Sequence, residues 1–435
     1  MKKIRYGLCL GTMALACAWS AISTPACAQG TSASGIPMFD SITAMGQAMA
    51  KSGIYFSLGY VEDFSWLTTG GAPGKNGGHP IGHATAGVTF DLDTIAGISG
   101  ASLHVIIEER NGIGIGEAAG VSSVPMQGDA GPVKYRLTQF FWEQAFDHDR
   151  IDLQVGRTEP TLEFGVSDIS CVFISSIICA QPGTWYFSNA NGAYPASEWG
   201  GRVNLAVTPE IYIKAGAYDD DPRGEGFLSA GFDWNTAKST GVFSIAEIGY
   251  LTGFSQVELP AKYDAGFYYD TSHYQKGDQP ATAFNGEQGR TAGYLQLQQT
   301  VWRPDRATNQ SLTLFGGAIF YGNSAPYRGQ YYAGLYDRAP FGTFRPADSI
   351  GVIGTLVDIN PGAVGNPPNP REWIIEANYG IGLAPGVTLK PYAQYVVHPF
   401  DQGNPLKNYK NDVIVGAQVS IALEQLLAFP AFVPH

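Results

Sequence analysis

Residues 412–423 read DVIVGAQVSIAL, and this stretch decides the fold class. Apolar side chains occupy one parity of the stretch and polar or small ones the other: Val413, Val415, Ala417, Val419, Ile421 and Leu423 against Asp412, Gly416, Gln418 and Ser420. A period of two over this length indicates a β-strand with two unlike faces rather than a helix. The same alternation recurs in 101–110, 150–157 and 211–219. The sequence therefore predicts an all-β protein.

Sixteen strands follow from this pattern, near 54–66, 83–92, 101–110, 133–146, 150–157, 197–207, 211–219, 241–251, 262–270, 291–302, 310–321, 330–337, 348–357, 372–381, 387–397 and 411–423. Turns such as 147–149 and 382–386 are tight, and they alternate with longer segments rich in Gly, Pro and Asn. In transmembrane barrels the short turns face the periplasm and the long loops face outside. We therefore expect a transmembrane antiparallel β-barrel of about sixteen strands. Its longest loop, 158–196, is the expected constriction.

An export signal precedes the barrel. Residues 1–28 begin with three basic residues, continue as an uncharged and mostly apolar run, and end in Ala-Cys-Ala. This order predicts a signal peptide cleaved before Gln29. Residues 29–52 then form a periplasmic segment, in which apolar residues three and four apart in 37–52 predict a short amphipathic helix. The barrel occupies 53–435.

Composition supports a membrane barrel. Charged residues make up 15% of the chain, below the roughly 25% of soluble domains, and the net charge is −12. This acidic balance argues against nucleic acid as a partner. After the signal peptide no uninterrupted apolar run approaches the roughly 20 residues of a membrane helix, so strands must cross the bilayer. A soluble β-sandwich or propeller is the alternative, but neither favours alternating short and long connections.

Two cysteines remain after the signal peptide, Cys171 and Cys179, and both lie in the predicted constriction loop. An exported protein occupies an oxidising compartment, so a local disulfide that stiffens this loop is expected. Two thiols without a nearby His do not make a zinc site, and no metal or cofactor is expected.

Several segments carry a family resemblance. Residues 139–144 read QFFWEQ, 153–157 read LQVGR and 199–203 read WGGRV, with Phe164 and Tyr194-Pro195 between them. This arrangement resembles the carbohydrate-selective porin (OprB) family, and 389–394 and Gly416 look similar too. The resemblance implies a sixteen-stranded barrel with a narrowed pore for glucose and related sugars. One departure is that the chain continues past the last strand through 428–432, instead of stopping on a terminal aromatic residue.

Parity selects side chains that point into the lumen, because exposing a basic residue to lipid at the midplane costs about 2–4 kcal/mol. The predicted pore-lining set, which contacts sugar or braces the wall, comprises Glu143, Arg157, Arg202, Asn204, Tyr212, Lys214 and Glu247. Glu376 is a further lone acid in an apolar strand. Arg157 and Arg202 rank first because the matching family motifs contain both. Their planar guanidinium groups can each donate two hydrogen bonds to adjacent hydroxyls.

The resemblance implies passive diffusion of small neutral sugars through an outer-membrane channel surrounded by lipid and lipopolysaccharide. A general or ion-selective porin is an alternative, since charged groups in a narrow pore set ion preference. A hydrolase built on a barrel is another, but it needs a nucleophile, a His base and an orienting group together. None of the seven His lies in a recognisable nucleophile context. The sequence leaves open whether the barrel is a monomer or a homo-oligomer.

Other patterns have simpler structural interpretations. Gly112, Gly114 and Gly116 predict an external Gly-rich loop rather than a nucleotide-binding loop. His79 and His83 lie in a predicted loop, where a spacing of four has no helical meaning.

Acidic and aromatic residues near strand ends are also expected to be structural. Residues 219–221 are three consecutive Asp, interpreted as a solvated loop edge rather than a cation site. Trp66, Tyr250 and Trp302 are expected in the aromatic girdle at the lipid–water interface.

Overall fold

Sixteen strands in the described part of the chain form one closed antiparallel sheet: β1 Ile54–Thr69, β2 Gly77–Asp91, β3 Ala101–Asn111, β4 Lys134–Phe146, β5 Ile151–Thr158, β6 Glu198–Ala206, β7 Ile211–Asp220, β8 Gly241–Leu251, β9 Ala261–Gln275, β10 Glu287–Trp302, β11 Ser311–Tyr321, β12 Tyr327–Arg338, β13 Ser349–Ile359, β14 Arg371–Ala384, β15 Val387–Val397 and β16 Asp412–Ala422. Each strand pairs with its neighbours in the chain. β1 also pairs with β16, from Gly59 opposite Ala422 to Thr69 opposite Val413, and this seam closes the barrel. The predicted fold is confirmed.

The computed structural model describes residues 37–119, 126–131, 134–167, 169–176, 178, 182–187, 194–220, 230–232, 234, 236–237, 239–275, 279–280, 287–322, 325–401 and 404–433. The predicted signal peptide at 1–28 and Cys179 lie outside these residues, so neither cleavage nor the predicted disulfide is described. A two-residue strand, Gln279–Pro280, pairs with the end of β9.

The sheet has an apolar outer surface and a polar inner one. Val155, Ile213 and Phe267 are 51%, 43% and 55% exposed on the outside. On the inner face, Asp63 and Glu376 are buried although both are acidic. This reversal of the usual soluble pattern fits a wall that faces lipid. The predicted girdle residues lie on the outer surface as well: Trp66, Tyr250 and Trp302.

Helices are few and short. The described α-helices are α1 Pro37–Lys51, α2 Leu92–Ala96, α3 Ile115–Ala119, α4 Pro361–Val364 and α5 Leu423–Leu426. Single 3-10 turns occupy Pro160–Leu162, Ser170–Val172, Gly183–Phe187 and Gly342–Phe344. Among the described residues, no helix is long and apolar enough to span a bilayer. α1 falls within the segment for which the spacing of apolar residues predicts a helix.

The two ends of the barrel differ. One end carries short connections, including the two-residue turn between β14 and β15, and also α1, α2 and α5. The other end carries the connections 112–133 and 159–197. Because short turns of outer-membrane barrels face the periplasm and long loops face outside, the first end is periplasmic and the second extracellular.

β2 begins at Gly77, six residues before the predicted start, so His79 and His83 lie in a strand and not in a loop. Pro80 and Gly82 obscure the strand pattern there. Residues 77–81 pair only with β1, because the ladder to β3 starts at Gly82 opposite Asn111. Proline is tolerated in such an edge position.

Two other local predictions are wrong. The Gly-rich segment at 112–116 does not form an external loop, because it leads into α3, whose Ile115 and Ala119 are buried in an apolar cluster inside the barrel. Within the predicted acidic edge at 219–221, Asp220 is completely buried at the end of β7, and Asp221 lies outside the described residues. The first error arises because local composition does not show that a chain segment folds back into the barrel.

Candidate functional site

The connection between β5 and β6, residues 159–197 (the β5–β6 loop), lies inside the barrel wherever the structure describes it. Its backbone is bound by inward-facing side chains from strands on opposite sides of the wall. Gly165 binds to β8, Thr184 to β12 and Ile174 to β14. The loop therefore crosses the lumen instead of projecting into solvent.

Arg202 on β6 binds three carboxylates. Its Nη2 donates to Glu143 on β4 at 2.9 Å, and its Nε donates to Glu163 of the loop at 2.9 Å. Its Nη1 also donates to Asp152 on β5. The guanidinium is 4% exposed, so these are desolvated, charge-assisted contacts. Arg202 therefore ties the start of the β5–β6 loop to three wall strands.

Glu247 on β8 is a second anchor. Its carboxylate accepts the backbone N–H of Gly165 at 2.7 Å, the hydroxyl of Tyr212 at 2.9 Å and the hydroxyl of Tyr294 at 2.7 Å. Lys214 lies 3.9 Å from the same carboxylate and donates to the carbonyl of Glu163 at 2.8 Å. The charged groups here bind the loop backbone as well as one another.

Glu376 on β14 is the third anchor, on the other side of the barrel. It accepts the backbone N–H groups of Ile174 at 2.7 Å and Ser175 at 3.0 Å. Gln394 on β15 donates to the same carboxylate at 3.0 Å. Gln330 on β12 likewise accepts the N–H of Thr184 at 3.0 Å. The loop is thus held from β6 round to β14.

Apolar packing fills part of the lumen beside the loop. Trp185 lies 5.0 Å from Tyr268 and 5.9 Å from Phe243, measured between ring centroids, in a buried cluster that includes Phe164. A second cluster joins loop residues to β11, β13, β14 and β15: Ile169, Val172, Phe173, Ile174 and Ile178 with Phe315, Ile353, Ile374 and Tyr392. Inward-facing apolar residues of the wall are therefore covered by the loop and not by water.

The described part of the connection between β3 and β4, residues 112–133 (the β3–β4 loop), enters the lumen too. Gln127 donates to Asp63 on β1, and Tyr392 donates to the same Asp63 oxygen at 2.9 Å. The N–H of Gly128 donates to the carbonyl of Ile174 at 3.0 Å. The two loops therefore contact each other and share the wall as support.

A buried histidine fixes the β3–β4 loop. His83 Nδ1 lies 3.1 Å from Asp129 of the loop, and Nε2 lies 2.9 Å from Glu108 on β3. Both ring nitrogens face carboxylates, which favours the doubly protonated ring. Burial would raise the pKa of Asp129, but the hydrogen bond and charge of His83, with Arg110, lower it to about 2. The ionised carboxylate therefore remains available to hold the loop.

The pKa of Glu159 is shifted in the opposite direction to that of Asp129. It caps the 3-10 turn Pro160–Leu162, accepting the N–H of Thr161 at 3.1 Å, and it is completely buried. Burial raises the pKa of Glu159 to about 8, although hydrogen bonds from Thr161 oppose that shift. The start of the β5–β6 loop therefore holds a carboxyl that remains largely protonated near neutral pH.

All seven predicted pore-lining residues point inward. The structure brings Glu143 together with Arg202, and Tyr212 together with Lys214 and Glu247. Arg157 instead binds the end of the β5–β6 loop, donating to the carbonyl of Ser197 at 2.7 Å and to its hydroxyl at 3.1 Å.

Asn204 on β6 is the seventh residue. It lies opposite Asp152 on β5, and its Oδ1 accepts no hydrogen bond from the described residues. Six of the seven predicted residues therefore contact the β5–β6 loop, a residue that binds it, or both. The seventh, Asn204, retains an amide oxygen without a hydrogen-bond donor among the described residues.

A family comparison decides the identity. A model of the carbohydrate-selective porin, OprB family, matches residues 75–423. The chain belongs to this family. Porin B of Pseudomonas aeruginosa is similar at 24% identity over 392 residues, which cover 81% of this chain and 84% of that protein.

Solved structures support the fold. The high-pH structure of Pseudomonas putida OprB superposes with a TM-score of 0.76 at 21% identity, covering 86% of this chain and 95% of that one. Its low-pH structure gives a TM-score of 0.57 at 18% identity, covering 88% and 96%. The predicted family and function, an outer-membrane carbohydrate porin of Gram-negative type, are confirmed by the family match. The OprB family is one of channels, not of enzymes.

Several residues that shape this OprB-family lumen were not predicted. Asp152, Glu163, His83 and Gln330 all hold loops or loop anchors. Parity could have marked His83 and Gln330 as inward, but their partners are distant in sequence. In the described residues, no group of three or more His, Cys, Asp or Glu is arranged to hold a metal ion.

Proposed function

We propose that this porin passes neutral sugars such as glucose by passive diffusion through a lumen narrowed by the segment 158–196. The observation that carries the proposal is the binding of that segment to the wall by Arg202, Glu247 and Glu376. A hydrated polyol must exchange part of its water for hydrogen bonds without being held tightly. A constriction of fixed polar groups meets that requirement.

The seven pore-lining residues have different proposed roles. Glu143, Arg157, Arg202, Tyr212, Lys214 and Glu247 position the loop and so set the width of the channel. The five charged residues among these six are engaged with loop groups or with one another, which leaves a smaller free charge to select ions. Asn204 is proposed to contact solute, because its Oδ1 has no partner in the described residues.

Liposome swelling tests this function. Proteoliposomes that contain the porin are expected to swell faster in glucose than in amino acids of similar size. Equal rates would overturn sugar selectivity and favour a general diffusion porin. An empty-liposome control sets the background rate.

Other expectations stay proposals. We infer that the signal peptide is removed before Gln29, and the N-terminal sequence of the outer-membrane form tests this. We infer a Cys171–Cys179 disulfide; alkylation of these cysteines only after reduction, seen as a mass increase absent from the unreduced sample, tests it. The apolar outer wall supports contact with outer-membrane lipid and lipopolysaccharide. Light scattering of the detergent-solubilised protein distinguishes a monomer from a homo-oligomer.

A further inference from the structure

The chain after β16 turns back beneath the barrel seam. β16 ends at Ala422 opposite Gly59, whereas β1 begins five residues earlier at Ile54. The periplasmic end of β1 therefore has no β16 partner. Glu424 on α5 reaches this end and accepts the N–H of Leu58 at 3.0 Å. The segment 423–433 (the tail) covers a sheet edge that would otherwise be unpaired.

α1 fastens the tail. Thr43 donates its hydroxyl to the carbonyl of Leu427 at 2.8 Å. The ring of Phe429 packs onto the helix at Gly46, where an added Cβ would overlap Phe429 Cδ1. Glycine inside a helix costs about 1 kcal/mol relative to alanine. The close approach of Phe429 explains why this position has no side chain.

Past this contact, the tail places Phe432 in the lumen. Tyr55, Thr89, His104 and Phe141 lie directly opposite one another on β1, β2, β3 and β4, in a row on the inner face. The ring of Phe432 is 5.3 Å from Tyr55 and 5.9 Å from His104, between centroids. Its ring therefore lies over this row. The row is at the periplasmic mouth, because Thr89 is two residues from the end of β2.

The surroundings of Phe432 combine aromatic and polar groups. Phe432 and Tyr55 are partly exposed, so this pair is not sealed inside the packed wall. His104 is buried beneath them, with Ser102 at 2.8 Å and Glu143 at 3.4 Å from its Nε2. A pyranose has an apolar C–H face that stacks on an aromatic ring and hydroxyls that bind polar groups at the rim. The aromatic rings of Phe432 and Tyr55, with polar groups beside them, match these two kinds of surface on a pyranose.

We propose that Phe432 and Tyr55 form an aromatic exit site for pyranose sugars at the periplasmic mouth, held in place by the contact of Phe429 with Gly46. This site rests on the proposed sugar function and adds a second contact after the loop constriction. It is built by the tail, which lies beyond the last strand of the barrel.

Sugar block of single-channel current in planar bilayers tests the site, with glucose and maltose added from the periplasmic side. Phe432→Ala is expected to shorten the sugar residence time about three- to tenfold, the range expected for losing one aromatic contact. Phe432→Tyr is expected to retain wild-type residence. Val433→Ala is the matched control, because Val433 is 60% exposed beside the site.

Folding is checked by the heat-dependent gel mobility of each variant. Phe429→Ala, which removes the support and not the site, is expected to shorten residence in the same direction. Sugar block in the wild type with unchanged residence in Phe432→Ala would overturn the exit site and leave the proposed function standing. A rise in ion conductance without a change in sugar residence would overturn it too, because Phe432 would then be only a steric obstacle. No sugar block in the wild type would overturn both proposals.

Discussion

Glu376 accepts the backbone N–H of Ile174 at 2.7 Å, although the two residues are 202 positions apart in the chain. The bond joins β14 to the middle of the β5–β6 loop, and the N–H of Ser175 adds a second bond to the same carboxylate. One acidic residue of the wall therefore holds the middle of the loop, in addition to the anchors at Arg202 and Glu247. Its removal gives the most direct test of the proposed constriction.

Glu376→Ala is expected to release the middle of the loop. Two buried N–H groups would lose their acceptor, each at a cost of about 1–3 kcal/mol. We expect a larger and noisier single-channel conductance and a smaller preference for glucose over amino acids. Glu376→Gln, which keeps one acceptor oxygen, should lie between this variant and the wild type. Unchanged conductance in the alanine variant would show that the loop position does not depend on Glu376.

Arg202→Ala is expected to lower the stability of the barrel as well as to change its selectivity. It would leave the carboxylates of Glu143, Asp152 and Glu163 buried without their shared cation, and breaking a buried ion pair costs about 3–5 kcal/mol. We expect the midpoint of thermal unfolding to fall and the conductance to rise as the loop start detaches. Arg150→Ala is the control, because its pair with Asp147 is exposed and such pairs contribute about 0–1 kcal/mol. A variant with wild-type thermal stability and altered sugar block would instead support direct sugar contact by Arg202.

Glu159 should make loop packing depend on pH. With its pKa raised from 4.5 to about 8, the packed loop keeps a proton that the unpacked loop releases. The packed state therefore loses stability as the pH rises through the range from about 5 to 8. We expect current noise to increase with pH in the wild type.

Glu159→Gln should flatten this profile, because the amide keeps a neutral group at the same place. Recordings at pH 5, 6.5 and 8 for both proteins give the comparison. Parallel profiles would mean that another group controls the pH response.

Gly46→Ala should be destabilising, against the usual trend. In an exposed helix interior this change stabilises by about 1 kcal/mol. Here the new methyl group would overlap the ring of Phe429. We expect faster protease cleavage of the tail in Gly46→Ala than in the wild type. A double variant with Phe429→Ala should show no extra loss over Phe429→Ala alone, and a fully additive result would exclude the contact.

The barrel could be predicted because strand alternation is local. Strands such as β3, β5, β7 and β16 carry their own period-two pattern, and short turns mark the periplasmic end. Pro80 and Gly82 hid the first six residues of β2, since neither residue is typical of a strand interior. Parity also pointed Glu376 and Arg202 correctly inward.

The alternation of side chains along a strand could not predict which groups Glu376 and Arg202 bind. Glu376 binds backbone groups of a loop that starts more than 200 residues earlier, and backbone donors leave no trace in the sequence. The β3–β4 loop was predicted to be external because glycine dominates its start. Ile113, Ile115 and Met126 are the apolar residues that could have indicated burial. Of these, Ile115 and Met126 are buried within the lumen.

The anchors of the β5–β6 loop have a consequence for engineering this channel. Glu247, Glu376 and Gln330 bind the loop through main-chain N–H groups, which every amino acid except proline carries. Exchanging the loop side chains that face the solute would leave these attachments intact. A library of loop variants on an unaltered wall could then be screened for new permeants without redesigning the barrel.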